Sequence, residues 1–217
     1  VYAENNVLAT QLLLEACRET SVERFVYASS SSVYGNSPVL PLHEDAVCRP
    51  ISPYGVPKLA AEHLAQLYWV GRGVPNVSLR FFTVYGPRQR PDMAFNIFLN
   101  ALLAREPLVV YGDGHQTRDF TYVADIVDAL VRAASAPPGS VMNIGGGSRV
   151  SLAHVLEMIA EVTGAQPDIR LEARQAGDVQ DTWADLTRAR ELIGYATSVD
   201  LREGLAAEYA WLRASPA

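Results

Sequence analysis

Arg24-Phe25-Val26-Tyr27-Ala28-Ser29-Ser30-Ser31-Ser32 is an apolar run that ends in four hydroxyl residues, and Tyr54-Gly55-Val56-Pro57-Lys58 and Asn76-Val77-Ser78-Leu79-Arg80-Phe81-Phe82 follow it. The first run, to Ala28, and the last read as strands. Between them a helix opens at Tyr54, signalled by Ser52-Pro53, and runs to about Val70. Its apolar residues Ala60, Leu64, Leu67 and Tyr68 recur at helical spacing, and Gly71 and Gly73 end it. Strand, helix, strand in this order is the unit from which parallel sheets are built. Parallel order brings the strand ends at Ser30 and Thr83 to one edge, where ligands of α/β sheets normally bind.

Upstream, the chain opens inside an amphipathic helix with Val7, Leu8, Leu12, Leu13, Ala16 and Cys17 on one side. Downstream of Pro91 the character changes. Helices are predicted over Phe95–Leu103, Ala124–Ala134, Ser151–Thr163, Leu186–Ile193 and Leu201–Leu212. Short strands are predicted at Leu108–Tyr111, near Phe120, at Val141–Ile144 and at Ile169–Leu171. The fold class is therefore α/β, and a division is expected near residue 90. Residues 1–90 belong to a sheet-based domain, and 91–217 to a smaller α/β region from which some segments return to the sheet.

Tyr54 and Lys58 are four apart, so on a helix they share a face. An ammonium there favours the phenolate and lowers the tyrosine pKa from about 10, and a helix N-terminus acts in the same direction. A serine hydroxyl from the end of the first strand could share a substrate proton with that tyrosine. This is the equipment of a base acting on an alcohol. The competing reading of a lone Tyr-x-x-x-Lys is surface decoration.

Bulk properties narrow the field. The 217 residues are 49% hydrophobic and 19% charged, with a net charge of -6. That composition suits a globular protein, and the sign of the charge argues against nucleic acid or an anionic membrane as partner. No apolar run reaches the roughly 18 residues of a membrane span. Cys17 and Cys48 lack both metal-ligand spacing and the density of a disulfide scaffold, so no metal site is expected and a reducing, cytoplasmic setting is. The glycine cluster Gly145-Gly146-Gly147 follows a late strand and lacks an acid at a second strand end about 20 residues on. It reads as a turn in preference to a phosphate cradle.

Several separate motifs, in order, carry a family resemblance. Ser29–Ser32 with Val33-Tyr34-Gly35 is followed by Ser52-Pro53-Tyr54-Gly55 with Lys58. Next come Arg80-Phe81-Phe82-Thr83-Val84-Tyr85-Gly86-Pro87-Arg88 and Arg118-Asp119-Phe120-Thr121-Tyr122-Val123-Ala124-Asp125. Together they resemble the extended short-chain dehydrogenase/reductase family, and within it the NAD-dependent nucleotide-sugar 4-epimerases. The resemblance spans essentially the whole chain. It implies a Rossmann-like doubly wound parallel sheet whose N-terminal strands and Gly-rich turn lie outside this sequence. On that ground the chain by itself is expected to be inactive.

The resemblance also implies roles. Tyr54 is the base for the sugar 4-hydroxyl, Ser30 the hydroxyl on the same oxygen, and Lys58 the residue that holds the nicotinamide ribose. Ala28 and Phe81 line the cofactor with them, and NAD is a bound catalyst restored in each cycle. Ser31 and Ser32 adjoin the sugar. Arg118 grips the diphosphate, a structural salt bridge being the alternative. Tyr111 lies near the uracil and Asp178 on the ribose. The stretch Thr83 to Ala94 is most similar to uronate epimerases, so Thr83 and Arg90 would bind a sugar carboxylate, unless Arg90 is a solvated loop charge. Two departures are Pro57, where relatives carry serine or threonine, and Gln175, where some carry arginine.

The expected reaction is C4 epimerisation of a UDP-sugar, UDP-glucuronate to UDP-galacturonate, through a 4-keto intermediate. Alternatives are a UDP-glucose or UDP-N-acetylglucosamine 4-epimerase, a UDP-glucuronate decarboxylase, and a non-catalytic sugar-nucleotide-binding fragment. A 4,6-dehydratase is disfavoured, because Ser31-Ser32 stand where those relatives carry Asp-Glu. A homodimer through a four-helix interface is implied as well.

Overall fold

The computed structural model describes residues 1–175 and 177–214. A π-helical turn, Ala3–Leu8, leads into α1 (Ala9–Arg18), followed by β1 (Phe25–Ser30), α2 (Gly55–Arg72), β2 (Asn76–Phe81) and β3 (Thr83–Tyr85). Next come α3 (Ala94–Ala104), β4 (Leu108–Tyr111), β5 (Thr117–Arg118), β6 (Phe120–Tyr122), α4 (Val123–Ala133) and β7 (Val141–Ile144). The chain ends with β8 (Val150–Ser151), α5 (Leu152–Thr163), β9 (Ile169–Glu172), α6 (Thr187–Ile193) and α7 (Leu201–Ala214).

The sheet that positions the site is parallel, in the order β1-β2-β7. Asn76 to Arg80 of β2 are all buried, as expected of a central parallel strand covered on both faces. Val77, Leu79, Met142 and Ile144 from the sheet pack with Ala129 and Ala133 of α4 and Ala189 and Ile193 of α6 in one core. A second core joins Tyr85, Phe95, Leu99, Leu108, Phe120, Val155, Ile159 and Leu205, from α3, α5, α7 and the strands between them. Ser30 lies opposite Phe81 in the β1–β2 register, and Thr83 opposite Phe120 in the β3–β6 pair. The chain therefore passes from the first core to the second at Thr83, beside the ends of β1 and β2. No helix among the described residues is long and apolar enough to cross a membrane.

Two helix faces differ from the sequence reading. On α1 the residue that enters the core is Leu14, while Leu8, Leu12 and Leu13 are 51%, 61% and 55% exposed. Only the Leu14 side meets α2, in a small cluster with Ala65, Tyr68 and Val74. On α2 the buried residues beyond its first turn are Ala61, Glu62, Ala65 and Tyr68, and Leu67 is exposed. The alanines let the helix approach the strands closely, and Glu62 is turned inward by a buried arginine described below. β1 also runs two residues further than Ala28, so Ser29 and Ser30 are strand residues.

Candidate active site

After Ser30 the chain bends through a single 3-10 turn, Ser31–Val33. The Ser30 hydroxyl accepts the Ser32 N–H at 3.2 Å and donates to the Ser32 hydroxyl at 3.1 Å, which fixes it at the strand end. Helix α2 starts directly against this turn. A Cβ on Gly55 would lie 2.6 Å from the Ser32 carbonyl oxygen and 2.9 Å from Pro50 Cβ, so only glycine fits there. The Ser52 hydroxyl accepts the Gly55 N–H at 3.0 Å, satisfying the first helical amide, and Tyr54 stands at the N-cap position. Pro57 falls in the first turn, where an N–H has no intrahelical acceptor, so this departure costs no hydrogen bond.

Lys58 lies one turn beyond Tyr54. Its ammonium donates to the Ala28 carbonyl at 2.9 Å and stands 5.7 Å from the Tyr54 ring centroid and 5.3 Å from that of Tyr27. The expected depression of the tyrosine pKa is not seen in the protein alone. Burial pushes the Tyr54 phenol above its ordinary value, and the neighbouring Ser30 hydroxyl and Arg90 guanidinium pull it down by less. Burial likewise holds the Lys58 ammonium below its ordinary value.

Beneath these residues lies a buried polar network that the sequence reading missed. Arg80 of β2 pairs with Glu62 of α2 at 2.6 Å, and their side chains are 7% and 5% exposed. Glu62 also accepts from the Ser29 hydroxyl at 2.6 Å, and Arg80 donates to the Tyr34 hydroxyl and the Glu44 carbonyl at 2.8 and 2.9 Å. The pair thus ties together the three segments that carry Ser30, Lys58 and Phe81. The signal was available: a lone arginine in an otherwise uncharged buried strand needs an acid, and Glu62 follows Lys58 by one helical turn.

Ser30, Ser31, Ser32, Tyr54, Lys58, Ala28, Phe81, Thr83 and Arg90 line one cavity of about 440 Å³, joined by Tyr2 and Met93, which sequence reasoning did not single out. Tyr2 meets the Tyr54 ring edge-on at 5.8 Å. Among the described residues the lining contains two cations, Lys58 and Arg90, and no carboxylate. Tyr111, Arg118 and Asp178 line a second cavity of about 610 Å³, with Thr83 on its wall as well. A smaller cavity of about 140 Å³ shares Ser31, Ser32 and Thr83 with the first, and Arg118 and Asp178 with the second. The predicted residues therefore line three cavities that share wall residues.

Two details qualify the individual roles. Arg118 is held by Asp178 at 2.6 Å and by the carbonyls of Thr117 and Gln180, so it makes a structural ion pair while lining two of the cavities. Arg90 is held by Asp92 through two contacts, and both side chains are exposed. Gly145–Gly147 forms a turn whose Gly146 N–H donates to the buried Asp119 carboxylate at 2.5 Å. Burial raises Asp119 to about 6 against the opposing pull of the Ala184, Gly146 and Gly147 amides. That glycine turn thus serves an internal anion. No cluster of His, Cys, Asp and Glu suited to a metal ion occurs among the described residues.

Residues 1–145 match the family described as "NAD dependent epimerase/dehydratase family". A protein of Bacillus subtilis (strain 168) described as an uncharacterised UDP-glucose epimerase is 44% identical over 97% of this chain and 67% of its own length. A UDP-glucuronate 4-epimerase of Thermodesulfobacterium geofontis (strain OPF15) is 35% identical over 97% of this chain and 66% of its own length. Among solved structures, UDP-glucuronic acid 4-epimerase from Bacillus cereus, in complex with UDP-glucuronic acid and NAD, superposes with a TM-score of 0.95. It is 41% identical and covers 98% of this chain, which spans 68% of it. The chain thus spans about two thirds of the length of the proteins it resembles. Its sheet, its Ser–Tyr–Lys arrangement and these matches make it a Rossmann-like member of the NAD-dependent epimerase/dehydratase family.

Proposed function

We propose that the protein is an NAD-dependent UDP-sugar 4-epimerase and that UDP-glucuronate is the sugar it inverts. The observation that carries this reading is a set of cavities that share wall residues. One has Ser30, Tyr54 and Lys58 on a lining whose charged members, among the described residues, are both cations, and another has Arg118 and Tyr111. The residues of the first cavity fit the nicotinamide riboside part of NAD, with flat apolar walls at Ala28 and Phe81 and donors at Tyr54 and Lys58. NAD+ bound there would supply a hydride acceptor for C4 and a positive charge beside Tyr54.

The chain's own residues do the proton work. Tyr54, as phenolate, takes the proton of the sugar 4-hydroxyl while the C4 hydrogen leaves as hydride, giving a 4-keto sugar. Ser30 donates a hydrogen bond to the same oxygen as charge develops on it. Turning the keto sugar over exposes its other face, and Tyr54 then returns the proton as the hydride comes back. Retention through that turn falls to the nucleotide end, where the Arg118 guanidinium suits a diphosphate. A 4-keto uronate is also a β-keto acid, so its carboxylate must be held with the C–C bond out of line with the ketone π system. The Thr83 hydroxyl and the Arg90 guanidinium, on the same cavity wall, are the groups that would hold it.

Two further parts of the reading concern the setting. We infer a homodimer through α1 and α2, supported by the exposed Leu8, Leu12, Leu13, Leu67 and Val70 on these adjacent helices. The unpaired Cys17 and Cys48 support a reducing compartment, the cytoplasm. The test of the function is a product assay by NMR, with the whole protein, NAD+ and UDP-glucuronate or UDP-glucose. UDP-galacturonate from the first is expected. Interconversion of UDP-glucose and UDP-galactose alone would keep the mechanism and retire the role of Arg90, and UDP-xylose as main product would make the protein a decarboxylase.

A further inference from the structure

Arg90 Nε meets Asp92 Oδ1 at 3.1 Å and Arg90 Nη2 meets Asp92 Oδ2 at 3.0 Å, a two-pronged contact of guanidinium on carboxylate. The Met93 N–H donates to the Arg90 carbonyl at 3.1 Å, and Ile97 of α3 donates to Met93, so both side chains stand on a turn anchored to a helix. Arg90 lines the cavity that holds Tyr54, and Asp92 lines the second cavity, with Thr83 on the wall of both. The pair thus sits where the two cavities meet, and the carboxylate that engages Arg90 belongs to the protein.

We propose that Asp92 is a specificity-determining residue: it competes with the carboxylate of an acidic sugar for Arg90, so that such a sugar binds by exchanging one carboxylate for another. The inference rests on the reading of Arg90 given above. A guanidinium has one fork of this geometry facing a given side, and two carboxylates cannot share it without repulsion. A neutral hexose makes no claim on the fork and leaves the pair closed. An acidic hexose that claims the same Nε–Nη2 edge displaces Asp92 from it, and because both partners are more than 70% exposed, displacement costs little. Asp92 therefore reduces selectivity for the acidic sugar to a modest degree.

The test is calorimetric binding of UDP-glucuronate, UDP-glucose and UDP to the whole protein with NAD+ present, for wild type, Asp92→Asn and Arg90→Ala. Asp92→Asn should bind UDP-glucuronate roughly two- to fivefold more tightly, the range an exposed ion pair supports. Binding of UDP-glucose and UDP should not change, and the gain should shrink at high salt. Arg90→Ala should weaken UDP-glucuronate selectively. An Arg90→Ala variant with unaltered preference overturns the reading of Arg90 and the inference with it. A selective loss in Arg90→Ala, with no gain or a loss in Asp92→Asn, overturns the inference alone, since Asp92 would then be orienting Arg90 rather than masking it.

Discussion

Glu208 gives a quantitative handle on how the C-terminal helix supports the substrate loop. Its side chain is fully buried, one carboxylate oxygen accepts the Gly86 N–H at 2.8 Å, and the other has no hydrogen-bond partner among the described residues. Gly86 opens the loop that carries Arg90 and Met93. Burial raises the Glu208 carboxyl from 4.5 to about 7, with the Gly86 amide pulling the other way. The folded state therefore binds this proton more tightly than the unfolded chain, and stability falls as pH rises from about 4.5 to about 7. A shift of this size corresponds to about 3 kcal/mol lost above pH 7.5 relative to pH 4. Glu208→Gln removes the charge and keeps an acceptor for Gly86. Its amide, like the O–H of the neutral acid it replaces, lies on the side where no partner is found among the described residues. The variant should be more stable than wild type by about 2–3 kcal/mol at pH 8 and within about 1 kcal/mol of it at pH 5. Urea unfolding of both proteins at pH 5, 6, 7 and 8 measures this, and the buried Asp119, common to both, cancels in the difference. Parallel stability curves for the two proteins across that range would refute the reasoning.

Other outcomes follow from the same geometry. Gly55→Ala forces a Cβ against the Ser32 carbonyl. It should destabilise the fold by about 1–3 kcal/mol, and the shift of Tyr54 against Ser30 should lower kcat by about 100-fold; kcat and a urea curve read the two effects separately. Lys58→Met takes away the ammonium beside Tyr54, so the phenolate should form at higher pH. The acid limb of the kcat/KM profile should then move upward, and an unmoved limb would remove Lys58 from the ionisation of Tyr54. Leu12→Glu with Leu67→Glu should convert a dimer to a monomer in sedimentation equilibrium, because both leucines are more than half exposed in the single chain. A mass unaffected by the pair of charges would place the interface elsewhere.

Much of the fold was legible because its signals are local. Apolar runs gave β1 and β2, and left-handed glycines at Gly73 and Gly164 end α2 and α5. The tyrosine and lysine four apart with the serine run before them marked the site, and the structure brings Ser30, Tyr54 and Lys58 to one cavity. What was not legible is what depends on partners distant in sequence. The periodicity of α1 and α2 shows that each has an apolar side, but Leu14 and Ala65 are buried because the two helices meet there. The pairing of Arg80 with Glu62, of Arg118 with Asp178 and of Glu208 with the Gly86 amide spans 18 to 122 residues. No window of sequence contains those contacts, although a charged residue in a buried strand announces that one must exist. The spacing that places Lys58 beside Tyr54 likewise says nothing of how deeply the phenol is buried, and burial pushes its pKa up.

The central claim is that Tyr54 serves a hydride cycle at C4 of a UDP-sugar. Its most direct test uses UDP-glucuronate carrying deuterium at C4, with the whole protein and NAD+ in ordinary water, and NMR of the product. The account predicts UDP-galacturonate that keeps its deuterium at C4, with Tyr54→Phe binding the sugar nucleotide but not converting it. Deuterium lost to solvent, or conversion undiminished in Tyr54→Phe, would contradict it.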